Sequence, residues 1–213
     1  SKVVMIIGSQ NTAFPIPIVR MGDGWRFDAH AASLDIVFRR IGRNELDAIQ
    51  TCLAYVDAQK EYADKNRTGA GAGVYAQRFV SHEGGKDGLY WPSAKGEEQS
   101  PLGELVAKAS AEGYRAGTSS PYHGYHYRIL TRQSANAPGG ELDYVVKGQM
   151  IGGFALVAYP AEYDTSGVMT FIISHDGTVY EKDLGPQTAK LAQQMKAFDP
   201  DRTWRKVDPE LYR

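Results

Sequence analysis

The stretch Asn44–Asp64, NELDAIQTCLAYVDAQKEYAD, decides the fold. Leu46, Ile49, Leu53 and Val56 recur at spacings of three and four, which predicts one apolar stripe along an amphipathic helix. Cys52, Tyr55 and Tyr62 widen the stripe, while Asp47, Gln50, Asp57, Glu61 and Asp64 fall mostly on the wet side. Asn44 reads as an N-cap, and Glu45 and Asp47 place negative charge where the helix dipole favours it. Such a helix must bury its stripe, and the β-rich second half of the chain is the surface on offer. The expected class is therefore α+β: a long amphipathic helix packed on an antiparallel β-meander.

Upstream, Lys2–Ile7, Ala13–Met21 and Trp25–Phe27 read as three short strands, with Pro15 and Pro17 marking an edge or bulge and MGDG a hairpin turn. Three such strands make no core of their own, so residues 1–28 are expected to be an N-terminal segment, the remnant of a truncated subdomain. Residues 29–213 form the expected main domain. Ala29–Ile41 reads as a helix, with Gly42 a kink or break before the central one. Val74–Val80 reads as a short helix, and Ser100 caps a third helix with Pro101 at its first position and a stop at Gly113. Tyr122–Gln133, Tyr144–Met150, Gly153–Tyr159, Val168–His175 and Thr178–Lys182 read as strands joined by short turns, and Pro186–Phe198 as a terminal helix.

Composition narrows the function classes. The chain has 213 residues, 42% of them hydrophobic and 23% charged, as in an ordinary globular protein. A formal net charge of −1 gives no nucleic-acid footprint. No apolar run approaches the roughly 20 residues of a membrane-spanning helix. The one cysteine, Cys52, lies inside the helix stripe and reads as a core residue.

Candidate chemistry is sparse. His123 and His126 read into one strand, where an offset of three puts them on opposite faces and argues against a metal site. Ser174, His175 and Asp176 are adjacent, so they cannot face one another as a triad, and HDG reads as a turn, as does DTSG at Asp164–Gly167. GAGAG at Gly69–Gly73 follows a helix and matches no phosphate-cradling pattern, and Asn66-Arg67-Thr68 is a chance-grade sequon. No catalytic set, metal site or cofactor signature is expected. The most function-like stretch is Asp87–Ser100, DGLYWPSAKGEEQS, in which Tyr90 and Trp91 form either a stacking surface or an inward staple. Glu97 and Glu98 read as a solvated acidic loop. Candidate ligand-binding residues are Tyr90, Trp91, Tyr122, His123, Tyr125 and His126.

Long blocks carry a family resemblance, among them FPIPIVRMGDGWRFD, RRIGRNELDAIQTCLAYVDAQKEYA, PYHGYHYRIL and GGFALVAYPAEYDTSGVMTFIISHDGTVYEKDLG. From about Phe14 to Val207 the chain resembles the bacterial family known as domain of unknown function 2950. The resemblance implies an exported protein, periplasmic or secreted, with a signal and a further helical segment ahead of the first strands. It supplies no catalytic residues. At fold level the chain also resembles the head domains of type IV pilin-like proteins and pseudopilins, which lay one long helix across an antiparallel sheet. The polar strands ahead of the helix stand where pilins carry an apolar stalk. The leading expectation is a non-enzymatic envelope or secreted protein acting through a protein partner or self-association. The alternative is a small-ligand or glycan-binding module built on Tyr and Trp, and the third reading is a hydrolase using Glu97, Glu98, His123, His126 or His175.

Overall fold

The computed structural model describes residues 1–65, 71–94, 96–111, 114 and 120–211. Among them are three α-helices and fourteen strands, and every ladder between named strands is antiparallel, so the class is α+β. The chain forms two compact units, Ser1–Arg43 and Asn44–Arg213.

In the first unit, β1 (Lys2–Val3) pairs with β4 (Ile18–Met21), and β4 with β5 (Gly24–Phe27). A separate hairpin joins β2 (Ile6–Ile7) to β3 (Thr12–Ala13). Met21 lies opposite Gly24, which leaves Gly22 and Asp23 as the turn, with Gly22 at φ 60°. Pro15 and Pro17 sit between β3 and β4, outside both ladders, because proline has no N–H to give. The expected strand Ala13–Met21 is thus two. Helix α1, Ala29–Ala63, starts here; Asp28 Oδ1 accepts from Ala31 N at 3.1 Å and caps it.

The expected break at Gly42 is absent, and α1 is one helix of 35 residues. A helical glycine costs about 1 kcal/mol, too little to stop a helix whose flanks are otherwise favourable. The stripe also shifts. Ala48, Ile49, Cys52, Tyr55 and Val56 are buried, but Leu46 stays 45% exposed. With the helix already under way, Asn44 is no cap: its Nδ2 donates to Ser166 O at 2.8 Å.

In the second unit the elements after α1 are α2 (Gly103–Ala111), β6 (Tyr125–Leu130), β7 (Arg132–Gln133), β8 (Leu142–Asp143), β9 (Val145–Val146), β10 (Gln149–Met150), β11 (Ala155–Pro160), β12 (Met169–Ser174), β13 (Val179–Asp183), α3 (Thr188–Gln194) and β14 (Arg205–Lys206). The main sheet has the order β14-β13-β12-β11-β6. Strands β11 to β14 follow one another as neighbours, while β6 closes the other side against β11. Between β6 and β11 the chain makes two small ladders, β7 with β8 and β9 with β10. All of β11 is buried, and its apolar run joins Cys52, Tyr55, Phe154 and Phe171 in one core.

Several expected elements differ. Residues 74–80 form no helix: Tyr75 bridges Met150, and Val80 bridges Tyr90. Helix α2 begins at Gly103, whose N–H bonds to Ser100 O, while the Ser100 hydroxyl is buried without a partner and caps nothing. The Gly113 stop and the 66–70 part of the Gly-rich and sequon stretch lie outside the described residues. Tyr144–Met150 is a tight hairpin, because Lys147 (φ 50°) and Gly148 (φ 80°) turn the chain. The terminal helix shortens to Thr188–Gln194 behind a 3-10 turn at Gly185–Gln187.

Candidate functional site

Strand β6 is an edge of the main sheet, and its start is shaped by PYHGY. Tyr122 and Tyr125 exchange both backbone hydrogen bonds, Tyr122 N to Tyr125 O at 2.9 Å and Tyr125 N to Tyr122 O at 3.0 Å. His123 (φ 48°) and Gly124 (φ 74°) form the two-residue turn, both in the left-handed region that a type I′ hairpin needs. A side chain at Gly124 would also meet Asn44 Nδ2 at 2.6 Å. The expectation that His123 lies within the strand is therefore corrected. It stands in the turn with Nδ1 3.3 Å from Asp47 Oδ2, while His126 is in β6. Among the described residues no group of three metal-ligating side chains comes together.

Alongside β6 lies a cavity of about 580 Å³. Four successive strand residues, Tyr125, His126, Tyr127 and Arg128, line it. Facing them are Leu105, Val106 and Ala109 of α2, together with Thr51 and Tyr55 of α1. Tyr90, Tyr114, Tyr122 and Tyr159 bring the tyrosines on its walls to seven among the described residues. Rings pack in pairs around it: Tyr114 with Tyr122 at 5.3 Å, His126 with Tyr159 at 5.5 Å and Tyr55 with Phe79 at 5.8 Å.

The site is dry in its electrostatics. Burial pushes the Tyr55, Tyr125 and Tyr127 phenols well above their ordinary range, so they stay neutral donors. Desolvation lowers His126 and favours the uncharged imidazole. Arg128 is lowered by the same cause; its terminal nitrogen donates to Ala192 O and Met195 O, both at 2.6 Å, at the end of α3. Two polar atoms of the lining residues are buried without a hydrogen-bond partner: Tyr127 Oη and Arg128 Nε. Thr51 acts on the Tyr127 phenol as a nearby polar partner, lowering it less than burial raises it, but holds no well-aligned hydrogen bond with it and donates its own hydroxyl to Asp47 O at 2.8 Å.

Of the sequence-derived candidates, Tyr90, Tyr122, Tyr125 and His126 come together on this cavity. Trp91 does not. It is 5% exposed, its Nε1 donates to Glu98 O at 3.2 Å, and it borders a second, more polar depression of about 880 Å³ that shares Val80, Tyr90 and Val106 with the first. The loop thus folds inward. Glu98 ties it down, accepting from Lys65 at 3.0 Å and Lys86 at 2.9 Å. Asp87 holds the other end: burial opposes its charge, but hydrogen bonds from His82 and the nearby Arg78 guanidinium hold its carboxyl below the ordinary range. His175 packs between the Tyr144 and Phe154 rings, at 5.8 and 6.1 Å, beside the expected HDG turn.

Sequence reasoning missed Arg128, Tyr159, Tyr55 and the α2 wall. Arg128 and Tyr159 were within reach of pattern: β6 and β11 alternate, and His126 lies directly opposite Tyr159. Nothing local in the sequence ties α2 to the edge of the sheet.

Fold and geometry define an α+β protein with a tyrosine-walled cavity along one edge of its main sheet. The chain belongs to DUF2950, a family of proteins of unknown function, whose family model matches residues 1–207 of 213. No curated protein and no solved structure matches it.

Proposed function

We propose that the protein is a binding module whose ligand occupies the cavity between β6, α1 and α2. One observation carries this reading: a cavity of about 580 Å³ alongside an edge strand, with seven tyrosines among its described wall residues. Its volume lies in the usual range for small-ligand sites, about 300–1,000 Å³. The test is a ligand screen read as thermal stabilisation, with Leu105→Trp filling the cavity as control. A ligand at 100 times its Kd should stabilise the wild type by about 2.7 kcal/mol. Ligands that stabilise the variant equally would place binding elsewhere.

A second reading has its own observation. In the first unit, Phe27, Leu34 and Phe38 are 53%, 66% and 61% exposed, and Ile6, Met21 and Trp25 are exposed with them. Exposed large apolar side chains in this number favour a protein partner or self-association. The family resemblance supports an exported, periplasmic or secreted setting, and the likeness to pilin heads adds a reason to look for assembly. A non-enzymatic role is supported by the engagement of Glu98, His123 and His175 in structural contacts. Light scattering over a concentration series decides: the monomer mass at every concentration, with no co-purifying partner, would remove this second reading.

A further inference from the structure

We propose that the ligand of the cavity is an extended peptide that adds as a strand to β6, pairing with the backbone of Tyr127 and Ile129; this rests on the binding reading above.

The parity of β6 carries the argument. In an antiparallel ladder the N–H and C=O of one residue point to the same side, and successive residues alternate. Tyr125 gives both its groups to Tyr122, away from β11, and lies opposite Pro160, which has no N–H to offer. One residue beyond the strand's end, Thr131 O accepts from Tyr144 N at 2.9 Å, again away from β11. Residues 125, 127, 129 and 131 therefore face outward. The first is closed by the Tyr122 hairpin and the last by Tyr144. Between them, the N–H and C=O of Tyr127 and Ile129 have no hydrogen-bond partner among the described residues.

Proteins commonly cover a sheet edge with a helix, and α2 shares the walls of the cavity with β6. Its contribution is apolar: Leu105, Val106 and Ala109 offer the edge no hydrogen bond. The cavity lies in between. Side chains of successive strand residues point to opposite faces, so a cavity touching Tyr125, His126, Tyr127 and Arg128 together must run along the edge itself. A strand set about 4.8 Å from β6 fills that line, and about three to four residues suffice to reach both Tyr127 and Ile129.

The faces state what such a peptide should carry. Its side chains alternate between Tyr127 and Tyr55 on the α1 side and His126 and Tyr159 on the other. Both rows favour apolar or aromatic residues. Main-chain bonds supply affinity and alternate pockets supply choice, the logic of strand addition.

The experiment pans a displayed library of random heptapeptides against the whole chain and synthesises an enriched peptide. Its binding is measured by fluorescence anisotropy, and amide exchange of the wild-type protein is followed by NMR. The expected result is slowed exchange at Tyr127 and Ile129. N-methylation of alternate peptide residues should weaken binding about tenfold, with the intervening positions tolerant. Because the methylated peptides are tested on the wild type, no variant has to fold. A peptide that binds, loses affinity on Leu105→Trp, yet leaves both amides unprotected and shows no alternation overturns strand addition and keeps the cavity reading. So does a screen in which no peptide enriches but a fragment library stabilises the wild type and not Leu105→Trp. If neither peptide nor fragment responds to the cavity, both readings fall.

Discussion

The side-chain amide of Gln59 pairs with the backbone of Ala76 at both ends: Nε2 donates to Ala76 O at 2.8 Å, and Ala76 N donates to Oε1 at 2.9 Å. A third bond joins Nε2 to Tyr55 Oη at 3.0 Å. Both residues are buried, so the glutamine serves as one rung of a β-ladder at Ala76, next to the bridge between Tyr75 and Met150. Gln59→Leu strands the N–H and C=O of Ala76. Each unsatisfied buried group costs about 1–3 kcal/mol, so the expected loss is about 3 kcal/mol, or about 6–12 °C in Tm for a unit of this size. Thermal and urea unfolding check it; a loss below about 1 kcal/mol would mean that water replaces the side chain.

Glu45 works in a similar way at the other end of the helix's buried stretch. Its Oε1 accepts from Val168 N at 2.9 Å and Met169 N at 3.0 Å, as Asn44 holds Ser166 O. Together they fix the loop that leads into β12. Glu45→Ala removes two charge-assisted hydrogen bonds and should cost about 2–3 kcal/mol, and Glu45→Gln less, because an amide oxygen still accepts. Equal losses for the two variants would show that the charge contributes nothing. Hydrogen exchange at Val168 and Met169 should quicken in both.

These two contacts mark where reading the sequence stops. The helical period of 44–63 is legible because burial imposes it, and the runs in β11 and β12 are legible because central strands are apolar on both faces. Asn44 and Glu45 carry the residue types of a helix start, and only the fold shows them reaching the loop before β12. Gly42 reads as a break, yet an exposed helical glycine is merely costly. HG in YHGY is a turn signal, because both positions take positive φ; reading through it as strand misplaced His123. Tyr90, Tyr122, Tyr125 and His126 were legible as an aromatic group, but the cavity needs α2, which only tertiary packing brings to β6.

His126 gives a pH dependence with a definite sign. The imidazole is half-buried against Tyr159, with Arg128 two residues along the same strand face, and desolvation lowers its proton affinity. Below the ordinary histidine value of about 6.5 the unfolded chain therefore binds a proton that the native state resists. Stability should fall as pH drops through that value and level off below the folded one. His126→Phe should remove part of this acid-side slope between pH ~7.5 and ~5.5, measured as the shift of the urea midpoint. An identical slope in the variant would assign it to other groups.

Cys52 should be inert in the native protein. It is fully buried, and desolvation raises its thiol, so neither access nor thiolate favours reaction. Labelling by a thiol reagent should be slow under native conditions and complete in denaturant. Because Cys52 sits on the core side of α1, its labelling rate reports opening of the helix from the core. Gln59→Leu and Glu45→Ala should both speed it. Rapid labelling of the wild type would show that α1 opens locally.

Gly167 and Tyr125 form a coupled pair. A methyl group at Gly167 would clash with Tyr125 Oη and stand 2.6 Å from its Cζ, while that hydroxyl donates to Met169 O at 2.9 Å. The ring is buried and lies against Phe171 at 5.8 Å, so it has little freedom to retreat. Gly167→Ala should cost about 2–3 kcal/mol through overpacking, and Tyr125→Phe about 1 kcal/mol through its lost hydrogen bond. In the double variant the hydroxyl clash is gone but the contact at Cζ remains. The combined loss should therefore fall below the sum by about 1 kcal/mol, a coupling that a double-mutant cycle measures directly. Strict additivity would mean that the Gly167 backbone moves and the ring does not. If the ring moves, the Tyr122–Tyr125 hairpin moves with it, and Gly167→Ala should weaken any cavity ligand although residue 167 does not line the cavity.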